Sequence, residues 1–594
     1  MLQDDVAATV DEPARQAGSV EPAPGEEAAA QHPSSDRAVQ GDPVVQGDPV
    51  QDDRVQDDIL RVEDLRVAYR IGDREVDAVR GVSLSVKRGE VVAIVGESGS
   101  GKSTVAQAIM NLLAPNAEIT GGRVELDGED LLPLSERRWR SIRGRLMGLV
   151  PQDPALSLNP VRKVGVQVAE PLLVHGLASK HDAEDRAVEL LEMAGLTYPA
   201  ERAKQYPHQF SGGMKQRALI AGALAAQPSL VIADEPTSAL DVTVQKQILD
   251  HLAHLTRELG TAILLITHDL GMAAERADRV VVMKQGEIVD SGPAAQVMTA
   301  PTHEYTRKLI AAAPRLSAHE RRTAATQARI EFDGEPIVQV TDLTKVFPLP
   351  KGEGGRRSLT AVDAVSLEVR RGETLAVVGE SGSGKSTLAR LVLRLDEPTT
   401  GAISFAGEDI THTKGEKLRQ LRRRFQMVYQ SPFDSLNPRM TIEQLITEPL
   451  LSFGEGDRGS RSKRAVELSE QVALPDGMLD RYPDELSGGQ RQRVAIARAL
   501  ALDPEFIVLD EAVSALDVSV QAQILKLLDD LQRQRELSYL FITHDLGVVA
   551  ETADRVAVLK NGKLVECADA AQIFTDPQEE YTRMLIEAVP AFTA

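Results

Sequence analysis

The chain has 594 residues, 42% hydrophobic and 26% charged, with a formal net charge of −22; this is the balance of a globular protein large enough for several domains. The acidity argues against a protein that lives on nucleic acid, which carries a basic footprint, and no run of about 18 apolar residues offers a bilayer span. A single cysteine, Cys567, excludes an internal disulfide and any multi-cysteine zinc or iron–sulfur site.

Residues 1–58 are rich in Ala, Pro, Gln, Asp and Glu and stutter through QGDPVVQGDPVQDDRVQDD (Gln40–Asp58). So little apolar surface cannot offset the entropy of ordering, and the segment is expected to be disordered. Its start, MLQDDVAATVDEP, lacks the basic and apolar regions of a secretory signal, which favours the cytoplasm.

The remainder is written twice. ILRVEDLRVAY (Ile59–Tyr69) returns as PIVQVTDLTKVF (Pro336–Phe347), with Asp64 and Asp342 separated by 342 − 64 = 278 residues. The domains expected are 59–316 and 336–594, joined by a short polar linker at 317–335. VVAIV (Val91–Val95) and TLAVV (Thr374–Val378) are apolar runs ending in glycine, followed by helix-like stretches. Continuous apolar strands alternating with helices predict an α/β fold with a parallel sheet covered on both faces.

GESGSGKST follows the first apolar run at Gly96–Thr104 and the second at Gly379–Thr387. GxxxxGK[ST] after a strand is a phosphate-binding loop. The glycines (Gly96, Gly99 and Gly101; Gly379, Gly382 and Gly384) let backbone N–H groups, with Ser98 and Ser381, converge on an anion, and the next helix turns its positive end there. Lys102 and Lys385 would reach the β- and γ-phosphates of ATP. Ser103 and Ser386, with Thr104 and Thr387 beside them, sit where a hydroxyl would ligate Mg²⁺. Tyr69 and Phe347, upstream of each loop, are candidates to stack on adenine.

Further along, SERRWRSIRGR (Ser135–Arg145) and KLRQLRRR (Lys417–Arg424) are expected to be solvated helix faces. VPQDPALSLNP (Val150–Pro160) and YQSPFDSLNP (Tyr429–Pro438) put Gln152 and Gln430 where an amide could sense the metal or the attacking water. A mainly helical stretch follows, including HDAEDRAVELLEMAG (His181–Gly195). FSGGMKQR and LSGGQRQR then open helices with Ser211, Gly212 and Gly213, and with Ser487, Gly488 and Gly489. Each is a second anion nest without a lysine of its own. One half does not need two such nests, so the SGG of each half is expected to face the loop of the other, giving two composite sites in a head-to-tail pseudo-dimer. LVIADE and FIVLDE end strands in adjacent carboxylates: Asp234 and Asp510 suit a metal contact, Glu235 and Glu511 suit polarising water. His268 and His544 end further strands in ITHDLG, 268 − 234 = 544 − 510 = 34 residues on, placed to bond the γ-phosphate. In the second half, PLPKGEGGRRSL is expected to be a surface hairpin loop.

In this order and doubled, the motifs resemble the ATP-binding cassette family. QDPALSLNP and QSPFDSLNP, SALDVTVQ and SALDVSVQ, and PTHEYTRKLIAAAP and PQEEYTRMLIEAVP are similar to the oligopeptide/dipeptide import branch. The resemblance implies tandem P-loop (RecA-like) domains, each with a β-subdomain and a helical subdomain. It also implies ATP hydrolysis with Mg²⁺ coupled to transport. The partners implied are two transmembrane permease subunits and an extracytoplasmic substrate-binding protein. The chain would then meet the membrane only through the permeases, at its cytoplasmic face, and would not bind nucleic acid. Some members of the branch hold an iron–sulfur centre on a cysteine cluster, which this sequence lacks, so none is expected. Two departures stand out: Met214 replaces the usual signature Gln, and Ala512 and Val513 replace the Pro-Thr seen at Pro236 and Thr237. The first is expected to weaken the site that pairs the second phosphate loop with the first SGG. Soluble twin-cassette factors that act on ribosomes are the alternative, but they usually carry a long charged helical linker.

Overall fold

The computed structural model describes residues 57–589 apart from 238–241, 315, 317, 320–335, 349–357, 432–434 and 515. The acidic segment up to residue 56 and nearly all of the 317–335 linker lie outside the described residues. So do residues 349–357 of the expected hairpin loop, although its flanking strands do pair, Pro348 with Ser358.

Each half builds the same two sheets. In the first, Arg74–Lys87, Asp58–Ile71, Ala117–Leu126 and Glu129–Asp130 form a four-stranded antiparallel sheet in that order. A six-stranded sheet follows in the order Glu287–Pro293, Arg279–Lys284, Val91–Val95, Ala262–Thr267, Leu230–Asp234, Met147–Val150. The second half repeats this order, from Phe425–Val428 through Phe506–Asp510, Ser538–Ile542, Thr374–Val378 and Arg555–Lys560 to Lys563–Asp569.

The expected parallel sheet is present and gains one antiparallel edge strand. Five strands are parallel, but Glu287–Pro293 and Lys563–Asp569 run antiparallel to their neighbours. The cause is local. Gln285 and Gly286 have φ of 49° and 86°, Asn561 and Gly562 of 51° and 82°. Two left-handed residues in succession make the tight hairpin turn whose twist suits paired strands, and a two-residue turn leaves no length for a crossover.

The central strand shows why these runs are apolar throughout. Val92 and Ile94 point into one core cluster with Ile109 and Leu264, while Ala93 and Val95 point into another with Leu265 and Val280. Both faces are covered, so the period-2 alternation disappears. The segment after the Gln motif is helical, as expected: Val164–Val174 and Lys180–Met193 pack on the SGG helix Gly212–Leu224, and Pro199–Ala203 packs on those two. Ile442–Phe453, Arg458–Gln471 and Gly488–Leu500 repeat this arrangement. The basic stretches fall on the helices Glu136–Ile142 and Gly415–Arg424. The first of them buries Trp139 beneath the Arg143 guanidinium, 4.9 Å from the ring centre.

Candidate functional site

The sheet order gathers the site. Val91–Val95, Ala262–Thr267, Leu230–Asp234 and Met147–Val150 are consecutive parallel neighbours. Their carboxyl ends release the phosphate loop, His268, Glu235 and Gln152 side by side, where α/β sheets hold their ligands. Residues 268 − 96 = 172 positions apart in sequence thereby share one crevice.

The phosphate loop depends on glycine at two positions. A Cβ on Gly96 (φ +152°) would sit 2.3 Å from the Met283 carbonyl, and one on Gly101 (φ +100°) 2.6 Å from that of Ala78. Gly379 and Gly384 meet Leu559 and Ala361 in the same way, at 2.2 and 2.3 Å. Lys102 is buried, and its Nζ donates to the carbonyls of Gly96 and Glu97 at 2.7 and 2.9 Å. Lys385 repeats this at 2.7 and 2.8 Å. Burial lowers the Lys102 ammonium from its ordinary pKa, against the opposing pull of Glu235, Asp517, Asp234 and Glu97.

The carboxylate pairs divide by environment. The Ser103 hydroxyl donates to Asp234 Oδ1 at 3.1 Å, and that of Ser386 to Asp510 Oδ1 at 3.3 Å. Burial pushes both aspartates up. The adjacent glutamates go the other way. Burial acts to raise Glu235 and Glu511, but their histidines, lysines and glutamines outweigh it and hold both below the ordinary range. Gln152 Nε2 donates to Glu235 Oε2 at 2.7 Å, and His268 Nδ1 lies 3.1 Å from Oε1. In the second half Gln430 gives 2.7 Å and His544 3.4 Å. The Glu235 hydrogen bond raises the His268 pKa; His544 is also raised, its Glu511 partner overcoming burial. Glu235 and Glu511 occupy the left-handed region at φ 45° and 46°. Each N–H still extends the sheet, to Ile266 O at 2.8 Å and Ile542 O at 2.9 Å. Strained non-glycine backbone of this kind is a mark of functional sites.

Hard oxygen donors beside a phosphate loop fit Mg²⁺. Among the described residues no cluster of three or more His, Cys, Asp or Glu could hold a metal. A magnesium ion at Ser103–Asp234 or Ser386–Asp510 would therefore complete its shell with phosphate and water.

Other predicted residues are placed differently. Ser211 and Ser487 cap their own helices, accepting from Met214 N and Gln490 N at 3.3 and 3.4 Å. Gln490 Oε1 in turn accepts from Ser487 N at 2.9 Å; a methionine at 214 has no oxygen with which to do so. The Tyr69 hydroxyl lies 3.5 Å from Thr104 Oγ1, beside the loop, whereas Phe347 carries Lys345 over its ring at 5.2 Å.

One contact between halves joins the first phosphate loop to Asp517 and Ser519, which the sequence motifs contain without an assigned role. Ser98 N donates to Asp517 Oδ1 of SALDVSV at 2.5 Å, and the Ser519 hydroxyl bonds the Glu97 carboxylate. A cavity of about 180 Å³ is lined by Glu235 and His268 from one half and by Ser514 and His544 from the other. The repetition of SALDV at 514 and 238 was the available signal, but nothing in one dimension says which loop it meets. Tyr305 and Tyr581 of EYTR were also missed. They accept from the loop amides of Glu97 and Glu380 at 3.2 and 3.3 Å.

Comparison with known proteins gives the family. The ABC transporter family model matches residues 79–238 and 362–514. The model for the oligopeptide/dipeptide transporter C-terminal region matches 289–333 and 565–594. The chain is 45% identical over 567 residues to the glutathione import ATP-binding protein GsiA of Salmonella choleraesuis (strain SC-B67), covering 91% of each. It is 44% identical over 571 residues to that of Escherichia coli (strain K12), again covering 91% of each. Among solved structures, a dimeric ATP-binding cassette in a post-hydrolysis state bound to ADP and Pi is 31% identical with a TM-score of 0.36, covering 39% of this chain and 98% of that one. Two phosphate loops, each beside a carboxylate pair and followed by its own extension, and two matched family models agree: the chain belongs to the ABC transporter family, as an importer ATPase of the oligopeptide/dipeptide type with both cassettes in one polypeptide.

Proposed function

We propose that the chain powers uptake of short peptides, with glutathione-sized tripeptides as the first candidates, at two composite ATP sites. Each site takes its lysine loop from one half and its SGG helix from the other. The observation that carries this reading is the bond from Ser98 N to Asp517 across the halves. It sets the loop of one cassette against the segment that follows the catalytic glutamate of the other. The substrate class is suggested by the relatives' name, glutathione import ATP-binding protein, and by the matched C-terminal region. Two permease subunits and an extracytoplasmic binding protein complete the assembly, with this chain at the cytoplasmic face; among the described residues no helix is long and apolar enough to cross a membrane.

In this reading Lys102 and the loop amides bind the triphosphate, and the SGG amides close on it from the opposite half. Ser103 with Asp234, and Ser386 with Asp510, would hold Mg²⁺, which supplies neutralisation of phosphate charge. Glu235 orients and polarises the attacking water. Gln152 and His268 fix the rotamer of Glu235 and hold it ionised. Closing and parting of the halves drives the permeases between their two states. The test is reconstitution of the chain with candidate permease subunits in vesicles that enclose the chain and MgATP, with binding protein and labelled substrate added outside. ATP-dependent accumulation of labelled glutathione or dipeptide is expected. Accumulation of neither, with ATP turnover intact, would refute the peptide assignment.

A further inference from the structure

We infer that Tyr305 and Tyr581 are positioning residues for ATP binding: each hydroxyl fixes the second residue of its own phosphate loop, and each helix ties that bond to the opposite cassette. Within each half, the short helix that carries the tyrosine is docked from the sheet. Asp290, buried on the antiparallel edge strand, accepts from Thr302 N at 3.0 Å, Thr302 Oγ1 at 2.8 Å and His303 N at 3.1 Å. These residues immediately precede the helix Glu304–Ala312. Glu566 does the same for Gln578 N and Glu579 N at 2.9 and 3.3 Å, ahead of Glu580–Glu587. The tyrosine rings are buried, 8% and 6% exposed, so only the hydroxyls reach the loops. The Lys284 and Lys560 ammonium groups lie over the rings at 4.9 and 4.2 Å. Burial and the neighbouring Glu97 carboxylate push the Tyr305 phenol up to about 12, so it stays neutral.

What the hydroxyl holds is specific. The Glu97 N–H that it accepts is followed by the Ser98 N–H on Asp517, and the Glu97 carboxylate takes Ser519. The rim of the loop is thus clamped from its own extension and from the other half at consecutive residues. The helix Glu304–Ala312 also packs on Val518–Arg535, the helix that follows Asp517. Glu580–Glu587 packs on Val242–Leu259, where Lys246 Nζ donates to the Glu587 carbonyl at 2.8 Å. A loop held in its binding conformation loses less freedom when the nucleotide arrives.

The assignment rests on reading GESGSGKST as the ATP loop. It is tested on the purified full chain with Tyr305→Phe and Tyr581→Phe together, which delete two hydroxyls and keep both rings. Calorimetric titration with Mg²⁺ and a non-hydrolysable ATP analogue is expected to show binding weakened about three- to tenfold, the equivalent of a neutral hydrogen bond at each site. KM for ATP should rise in parallel while kcat changes less than about twofold, the split expected of lost binding rather than lost chemistry. The thermal midpoint should move by no more than about two degrees. Affinity and KM within about 1.5-fold of wild type would overturn the assignment. So would Phe variants that match wild type while Tyr305→Ala with Tyr581→Ala loses affinity, because the ring alone would then suffice. Wild-type affinity in Lys102→Met with Lys385→Met would overturn the loop reading itself, and this assignment with it.

Discussion

Replacing Glu235 and Glu511 with glutamine changes two atoms and no volume, and the hydrogen bonds around Glu235 dictate the outcome. Its Oε2 accepts from Gln152 Nε2 at 2.7 Å and its Oε1 faces His268 Nδ1 at 3.1 Å. A glutamine offers one acceptor and one NH₂ donor. The Gln152 amide needs the oxygen, so the new NH₂ must face His268 Nδ1, which can accept only when unprotonated. The His268 pKa, raised above 6.5 by the Glu235 bond in the wild type, should therefore fall below that value. The stability lost is about 1 kcal/mol or less per site, because the His268 side chain is 37% exposed and the pair is screened. Removing a positioned general base costs about 10²–10⁴ in rate, or roughly 3–5 kcal/mol of barrier. The rate term wins, so the variant should be folded, bind ATP, stall before hydrolysis and retain nucleotide through gel filtration. The pH signature has a defined sign. The raised histidine stabilises the fold fully below its unfolded pKa of 6.5 and loses that contribution as pH rises through the folded value. The lowered glutamate contributes above its unfolded 4.5 and loses that contribution as pH falls through the folded value. The thermal gap between wild type and variant should then be widest between those two values and narrow on either side. Phosphate release at saturating MgATP, histidine NMR titration and thermal melts at several pH values measure the three effects. Turnover within about threefold of wild type, or an unmoved His268 pKa, would refute the assignment of Glu235 and its partners.

Gly96→Ala forces a Cβ to 2.3 Å from the Met283 carbonyl at a φ of +152°; nucleotide affinity should drop more than about tenfold and stability by about 3 kcal/mol, read by titration and urea unfolding. Met214→Gln gains the bond that Gln490 makes to Ser487 N at 2.9 Å but gives up part of the Met214 packing on the helical core. The two terms nearly cancel in stability, within about 0.5 kcal/mol. Turnover at the site of the second loop should still rise about twofold, measured in a Lys102→Met background that isolates it. Asp517→Ala removes the acceptor 2.5 Å from Ser98 N; ATP-driven compaction followed by X-ray scattering should need about three- to tenfold more ATP, and an unchanged midpoint would show that the contact does not support closure.

The chemistry was legible because phosphate binding needs particular residues in immediate succession. Glycines that tolerate φ above zero, a lysine and a hydroxyl at fixed spacing leave a signature in one dimension, as do the carboxylates and histidines that end apolar strands. The Asn561-Gly562 turn is equally local, but the apolar runs that flank it look alike in either direction, so they do not by themselves mark the antiparallel edge. Asp517, Ser519, Tyr305 and Tyr581 were harder to read. Their residue types are ordinary on a helix or at its start, and their partners lie far off in the chain, 517 − 98 = 419 residues away for Asp517.

By itself the sequence determined the doubling, the two phosphate loops, their carboxylate, glutamine and histidine complements, and the sheets that carry them, since each follows from local spacing and periodicity. Only the tertiary structure decided which loop touches which across the halves. Only it showed that Gln152 and His268 grip the same carboxylate, that Met214 leaves a cap without its returning bond, and that each extension reaches its own phosphate loop while leaning on the opposite cassette. Such contacts depend on the packing of elements hundreds of residues apart, and packing is set by shape and burial in three dimensions, which no spacing along the chain encodes.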